Sequence, residues 1–385
     1  PPVQKLQGHK PVKHPVKKAV VRRPTAKLSS PSKRAPTAKN AHAGGLPKKV
    51  VKEVFDVAPG KPVLLDKFLE DAIELDVDAI SDGKEVFVAG IMEHIEEAGI
   101  HSGDSACSLP PFSINESVQK KIKDWVAKIA HKLDVIGLMN TQLALKDNEL
   151  FVLEVNPRAS RTVPFVAKAT GIPIAKIASK VMLGESLKTL LSSYKSNSLK
   201  TFNVKESVFP FNKFDGVDLI LGPEMKSTGE VMGIDDTFLS AFIKSQIASG
   251  TILPKNGTVF LSIDDDNKKH LLSIANKLSS LNFNLIATKG TAKYLKNNQI
   301  TVNEINKVKE GSPHVVDALT SNNIQLVINT TKTQGSIRDS YSIRRTSLMY
   351  NIPYYTTIAG ARVAVDAIHH LKKNPLKVKS LQSIH

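Results

Sequence analysis

At 385 residues the chain is too long for one typical domain, and 41% hydrophobic content is enough to build cores for two or three units. A lone cysteine, Cys107, excludes an internal disulfide framework and fits a reducing compartment. With no apolar run near the roughly 20 residues of a membrane helix and no signal-peptide pattern, a cytoplasmic protein without membrane partners is expected.

The net charge of +17 is a tail effect, since residues 1–52 hold 14 of the 53 Lys and Arg and none of the 36 Asp and Glu. That stretch is rich in Pro, Lys, Ala and Ser and lacks aromatic residues, so a disordered basic tail is expected over residues 1–60. A polycation of this kind is able to bind nucleic acid, but the signal is only compositional, and nucleic acid is not the expected partner.

A strand is expected from Val63, then a second over residues 73–80, where apolar and acidic residues alternate. Its acidic face, Glu74, Asp76 and Asp78, reads equally well as a solvated sheet face or a functional one. Residues 85–91 form the next strand. Residues 99–105, with His101, Ser102 and Asp104, make a loop of small polar residues whose amides are able to meet a phosphate. Between 115 and 133 an apolar stripe of Val118, Ile122, Trp125, Val126, Ile129 and Leu133 predicts a helix with Trp125 in its core.

The helix leads into two apolar runs flanking the polar cluster at 146–149, the pattern of a hairpin. Setting Gln142 opposite Glu154 predicts a three-residue loop, Asp147-Asn148-Glu149. Strand alternation then places Glu154 and Asn156 on one face, with Gln142 joining them across the ladder. Three hard oxygen donors suit Mg²⁺ (or Mn²⁺), held together with substrate phosphates. An ordinary hairpin with polar residues facing water is the competing account. The continuation Asn156-Pro-Arg158-Ala-Ser-Arg161-Thr162 favours the metal, because guanidinium groups beside a cation suit phosphoryl transfer.

Two short helices are expected over 163–183, broken at Gly171-Ile-Pro173, then an ordered connector and a helix at 238–247. From about residue 250, short β-rich runs at 258–263, 284–288 and 325–329 alternate with helical stretches, the order of a parallel sheet wrapped by helices. Their C-terminal ends carry Thr288-Lys-Gly-Thr291 and Asn329-Thr-Thr331, which read either as anion sites or as helix caps.

Residues 90–110 (Gly90-Ile-Met-Glu-His-Ile-Glu-Glu-Ala-Gly to Ser-Leu-Pro110) and 154–171 (Glu154-Val-Asn-Pro-Arg-Ala-Ser-Arg-Thr-Val-Pro-Phe to Gly171) closely resemble the large subunit of carbamoyl phosphate synthetase. The resemblance runs from about Val63 to the C-terminus and is to the end of the second, carbamate-phosphorylating half. It implies an α/β architecture: an α+β ATP-grasp lobe over 61–200, a connector over 201–249, and a Rossmann-like, methylglyoxal-synthase-like regulatory domain over 250–385. The implied activity is that of a glutamine-hydrolysing carbamoyl phosphate synthase, a ligase of pyrimidine and arginine biosynthesis that phosphorylates carbamate with MgATP. Gln142, Glu154 and Asn156 would hold the metal, Arg158 and Arg161 would be catalytic, and Glu74, His101 and Ser102 would join Gln142 and Glu154 in binding ATP. Uridine or inosine monophosphate would meet Lys268, Thr288, Thr291, Lys307, Asn329 and Thr331. Ornithine would meet Glu96, Asp104, Glu206, Tyr354 and Thr356, although Tyr355 stands where a small acidic residue is expected.

The implied partner is a glutaminase small subunit. The basic tail resembles nothing in the family and stands where the front lobe of the ATP clamp is expected, so a mis-joined reading frame is one account of it, and half a clamp is expected to be inactive alone. No acidic group is evident beside Thr288 or Asn329, so a lyase is not expected. The alternative to an enzyme is a non-catalytic nucleotide-sensing module.

Overall fold

The structure, a computed structural model, describes residues 56, 69–194, 199–214, 216–380 and 382. The chain divides into Pro1–Phe68 and Leu69–His385, and both the expected tail, residue 56 apart, and the start of the strand expected at Val63 fall outside the described residues. Among the described residues no helix is long and apolar enough to cross a membrane.

Alternation along 73–82 produces a long central strand. This β1 (Ile73–Asp82) joins β2 (Val86–Glu97), β3 (Cys107–Leu109), β4 (Ile136–Lys146), β5 (Glu149–Asn156), β6 (Phe202–Val208) and β7 (Gly229–Asp235) in an antiparallel sheet ordered β5-β4-β1-β2-β3-β6-β7. Leu75, Val77 and Ala79 pack under helix α1 (Glu116–Lys132), through Ile122, Val126 and Ala130. Asn115 caps that helix, its side chain accepting from the Val118 amide at 3.0 Å. Trp125 lies half-buried at the edge of this core, as its place on the stripe predicts. Over the other face lie α2 (Val163–Thr170) and α3 (Ile174–Met182), the two short helices expected there. Because both faces are covered, Glu74, Asp76 and Asp78 are buried and form no solvated surface.

The hairpin differs from the expected one in its turn. Lys146 pairs with Glu149, so the loop has two residues, Asp147 and Asn148, at φ 49° and 64°. Both lie in the left-handed region of a type I′ turn, whose twist matches the strands. Gln142 still faces Glu154, because a bulge intervenes: Leu143 pairs with Val152 and Leu153 is the extra residue. One residue fewer in the loop is thus made up by one more in β5.

The segment expected as a connector supplies β6 and β7, and α4 (Phe238–Ala248) follows as predicted. The second sheet is parallel, as its strand–helix order requires. It runs β10-β9-β8-β11-β12, from β8 (Thr258–Ser262), β9 (Asn284–Ala287), β10 (Asn303–Glu304), β11 (Leu326–Asn329) and β12 (Tyr354–Tyr355). Helices α5 (Lys268–Ser280), α6 (Lys289–Asn297), α7 (Tyr341–Met349) and α8 (Ile358–Lys373) cover it. One core runs from Ile95 and Val204 of the first sheet through α8 to Val259 and Leu261 of the second. At the start of α8 a Cβ on Gly360 would stand 2.8 Å from the Glu96 carboxylate, so a larger residue there would have to move the end of that side chain.

Candidate functional site

Cross-strand pairing on β1, β4 and β5 sets two rows of polar side chains on one face: Asp78, Asn140 and Asn156 in one, Asp76, Gln142 and Glu154 in the next. Gln142, Glu154 and Asn156 are therefore brought together. The Gln142 amide nitrogen donates to Ser102 Oγ at 3.5 Å, which leaves its carbonyl oxygen for a cation. Among the described residues no three His, Cys, Asp or Glu converge on one point, so the donor set is of amide and carboxylate oxygens. Such a set fits a hard cation that retains water and phosphate ligands. Beyond β5, Arg158 and Arg161 are both exposed, the second touching the Met225 thioether.

The strand-by-strand reading missed what lies beneath these donors. His94 Nε2 meets Asp76 at 3.0 Å, and Asn140 donates to Asp76 at 3.1 Å and to Asp78 at 2.9 Å. Burial works to raise the Asp76 carboxyl, but His94, Asn140 and the Lys205 charge outweigh it and hold the group below its usual range. Burial does prevail at Asp78, raised despite bonds from Thr162, Asn140 and Ser160. The period-two acids were the available signal for Asp76 and Asp78. Lys205, fully buried, donates to the Ser102 and Ser105 carbonyls at 3.2 and 2.8 Å, and nothing in its sequence context marked it.

These carbonyls belong to the 99–105 loop, which closes one end of the rows. Gly99 N donates to Glu74 at 3.3 Å, so Glu74, Ser102 and Gln142 adjoin the same loop. His101 Nδ1 accepts from Gly103 N at 3.0 Å, and burial, helped by the Arg161 charge, lowers the ring below the ordinary histidine range. The Asp104 carboxylate takes the Lys226 and Ser227 amides and ties the loop to the β6–β7 connection.

The five residues linked by resemblance to ornithine have different hydrogen-bond partners. Glu96 and Glu206 act on each other electrostatically, in company with Tyr355; Gln246 donates to Glu206 at 2.6 Å and Thr357 donates to Glu96 at 2.5 Å. Burial and the Glu96 charge push Glu206 up to about 7. Asp104 instead serves the connection above, and the Tyr354 hydroxyl accepts from Asn329 at 2.8 Å. Thr356 follows Tyr355, which fills space beside the two acids and donates to Gln246 at 3.1 Å.

In the parallel sheet the strand ends share one edge. Thr288 donates to Ser262 at 3.3 Å and makes no capping bond to α6; Thr291 accepts from Ile263 N at 3.1 Å. Asn329 is buried with its side-chain oxygen unpartnered. Lys268 Nζ would stand 3.8 Å from a Cβ on Gly290, at the start of α6, and pairs with Asp265 at 2.5 Å. Lys307 is exposed and Thr331 half-buried. The absence of an acid at this edge, expected from sequence, is corrected: Asp264 accepts from Thr330, next to Asn329, at 2.6 Å. Parallel pairing of β8 with β11 brings together residues 66 apart in the chain.

Comparison with known proteins matches two stretches of the chain. Residues 47–190 match the family described as carbamoyl-phosphate synthase L chain, ATP binding domain, and residues 270–356 match the MGS-like domain. The carbamoyl phosphate synthase large chain of Rhizobium meliloti (strain 1021) is 54% identical over 326 residues, 84% of this chain and 28% of that one. The large chain of Archaeoglobus fulgidus is 51% identical over 336 residues, 87% of this chain and 31% of that one. The chain thus spans less than a third of the length of these relatives. Among solved structures, N5-carboxyaminoimidazole ribonucleotide synthetase from Thermus thermophilus aligns with a TM-score of 0.40 at 17% identity, covering 52% of this chain and 56% of that one.

Proposed function

Because the chain belongs to the carbamoyl phosphate synthase large-chain family, we propose that its first sheet is the metal-bearing side of an ATP site that phosphorylates carbamate. The observation that carries this reading is the pair of polar rows on β1, β4 and β5, continued by Arg158 and Arg161. Gln142, Glu154 and Asn156 would hold Mg²⁺, which when bound neutralises phosphate charge and aligns it for in-line transfer. Arg158 and Arg161 stabilise charge on the transferring group, as guanidinium forks do for phosphate oxygens. His101, held neutral near pH 7 by burial, and the Ser102 hydroxyl offer hydrogen bonds to the nucleotide without adding charge. Glu74 takes the ribose end.

The second sheet we read as the regulatory domain, its edge of Lys268, Thr288, Thr291, Lys307, Asn329 and Thr331 taking uridine or inosine monophosphate. Glu96 and Glu206 suit an ammonium ligand such as ornithine. Ammonia from a glutaminase small subunit and a bicarbonate-activating half complete the reaction that feeds pyrimidine and arginine synthesis.

Calorimetric titration of the chain with ADP tests the site. The expected result is Mg²⁺-dependent binding that Glu154→Ala weakens roughly 10- to 100-fold. Absence of binding, or binding indifferent to Mg²⁺ and to Glu154, overturns the reading. A sensor without chemistry is favoured by one observation, the unpartnered Asn329 oxygen at the sheet edge. It predicts that uridine monophosphate raises the melting temperature while MgADP does not.

A further inference from the structure

Resting on that reading of the first sheet, we propose that Asp78 is the positioning residue of the arginine loop, residues 158–162. Its carboxylate is 1% exposed and has three donors: Asn140 at 2.9 Å and Ser160 at 2.7 Å on one oxygen, Thr162 at 2.6 Å on the other. Two of these come from the loop and bracket Arg161, and their hydroxyls also meet each other at 2.8 Å. The third, Asn140, is the row partner of Asn156 on β5. One buried group therefore sets the arginines against the metal donors.

A second observation separates this from ordinary core satisfaction. Thr162 occupies the N-cap of α2 yet makes no capping bond. A threonine at that place usually accepts from the second or third amide of its helix, worth about 1 kcal/mol. Here the Thr162 backbone is helical and Pro164 offers no amide to cap, and the hydroxyl donates to Asp78, tying the start of α2 to the group that holds the loop. The carboxylate also stays buried where an apolar side chain would avoid the cost of desolvation.

The test is Asp78→Asn, which keeps the shape but replaces one acceptor with a donor, facing either Thr162 or the pair Asn140 and Ser160. Hydrogen exchange of amides 158–162 is expected to quicken about tenfold or more. MgADP affinity is expected to fall roughly 10- to 100-fold, as for other residues that orient ligands through a neighbour, while the thermal shift given by uridine monophosphate stays unchanged. Ser160→Ala combined with Thr162→Val breaks the same bonds from the loop side and carries the test if Asp78→Asn does not fold. Exchange and MgADP affinity both at the wild-type level would overturn the proposal. Should the wild-type chain bind no MgADP, the ATP-site reading falls, and the exchange rates alone decide whether Asp78 holds the loop.

Discussion

Glu206 shows what a single residue contributes. Burial first, and then the Glu96 charge, raise it from 4.5 to about 7, and Glu96 is itself raised by burial. Between those two values the folded chain holds a proton that the unfolded chain has released. Its stability contribution is therefore fully present below pH 4.5 and is lost as pH rises through about 7. Lys205 and the Gln246 amide pull the other way but do not cancel the shift. Glu206→Gln is expected to flatten the pH dependence of stability across that window and to gain most over wild type above it. Urea midpoints for both chains from pH 4.5 to 8 measure this. An added diamino acid is expected to narrow the gap at the upper end, because its ammonium favours the ionised carboxylates. Equal slopes for the two chains would mean that Glu206 ionises normally.

Elements depend on a different constraint, close approach. A Cβ on Gly233 of β7 would lie 2.1 Å from the Ala241 carbonyl and 2.5 Å from the Ser245 amide of α4. Both contacts are backbone, so no side chain is able to swing aside. Gly233→Ala is expected to push the helix off the strand at a cost of about 1–3 kcal/mol, read as a lower urea midpoint at unchanged slope. Nothing in the sequence around Gly233 announces this contact, and the same limit governs the rest of the fold. Strands and helices with strong periodicity, β1, α1 and the three longer strands of the parallel sheet, β8, β9 and β11, were legible because each repeats its own pattern, while two-residue β10 and β12 were not. Three-residue β3 was not, and β6 and β7 hid in a segment whose Pro and Gly read as connection. The turn of the hairpin was misread because a bulge at Leu153 leaves no mark that local composition carries. Gln142, Glu154 and Asn156 could be placed on one face by counting twos. Their support from Asp76, Asp78 and His94 depends on which face α2 and α3 cover, a tertiary fact.

On the scale of the molecule, one chain of polar contacts joins the parallel sheet to the candidate ATP site. Asn329 donates to the Tyr354 hydroxyl, which lies within the influence of the Arg344 charge. Arg344 forks onto Asp218 of the β6–β7 connection, with both contacts at 2.5 Å. In the same connection the Lys226 side chain donates to the Asp218 and Ile220 carbonyls, and its amide donates to Asp104 in the His101 loop. The two ends of the ion pair differ in environment, the Arg344 side chain being 1% exposed and Asp218 28%. Asp218→Asn leaves a guanidinium charge buried without its partner, which costs about 3–5 kcal/mol. Arg344→Met removes that charge and leaves Asp218 with solvent and the Ile220 amide at 3.3 Å, so its cost is expected to be smaller. Arg344→Met is therefore the variant in which to look for lost communication. If the path carries coupling, uridine monophosphate alters MgADP affinity in the wild type, and by reciprocity MgADP alters the affinity for the monophosphate by the same factor. In Arg344→Met that factor is expected to fall toward one while each ligand still binds alone. Titrating either ligand with the other saturating measures it, and a factor unchanged from wild type would place the coupling elsewhere, in the apolar packing of α8 between the sheets.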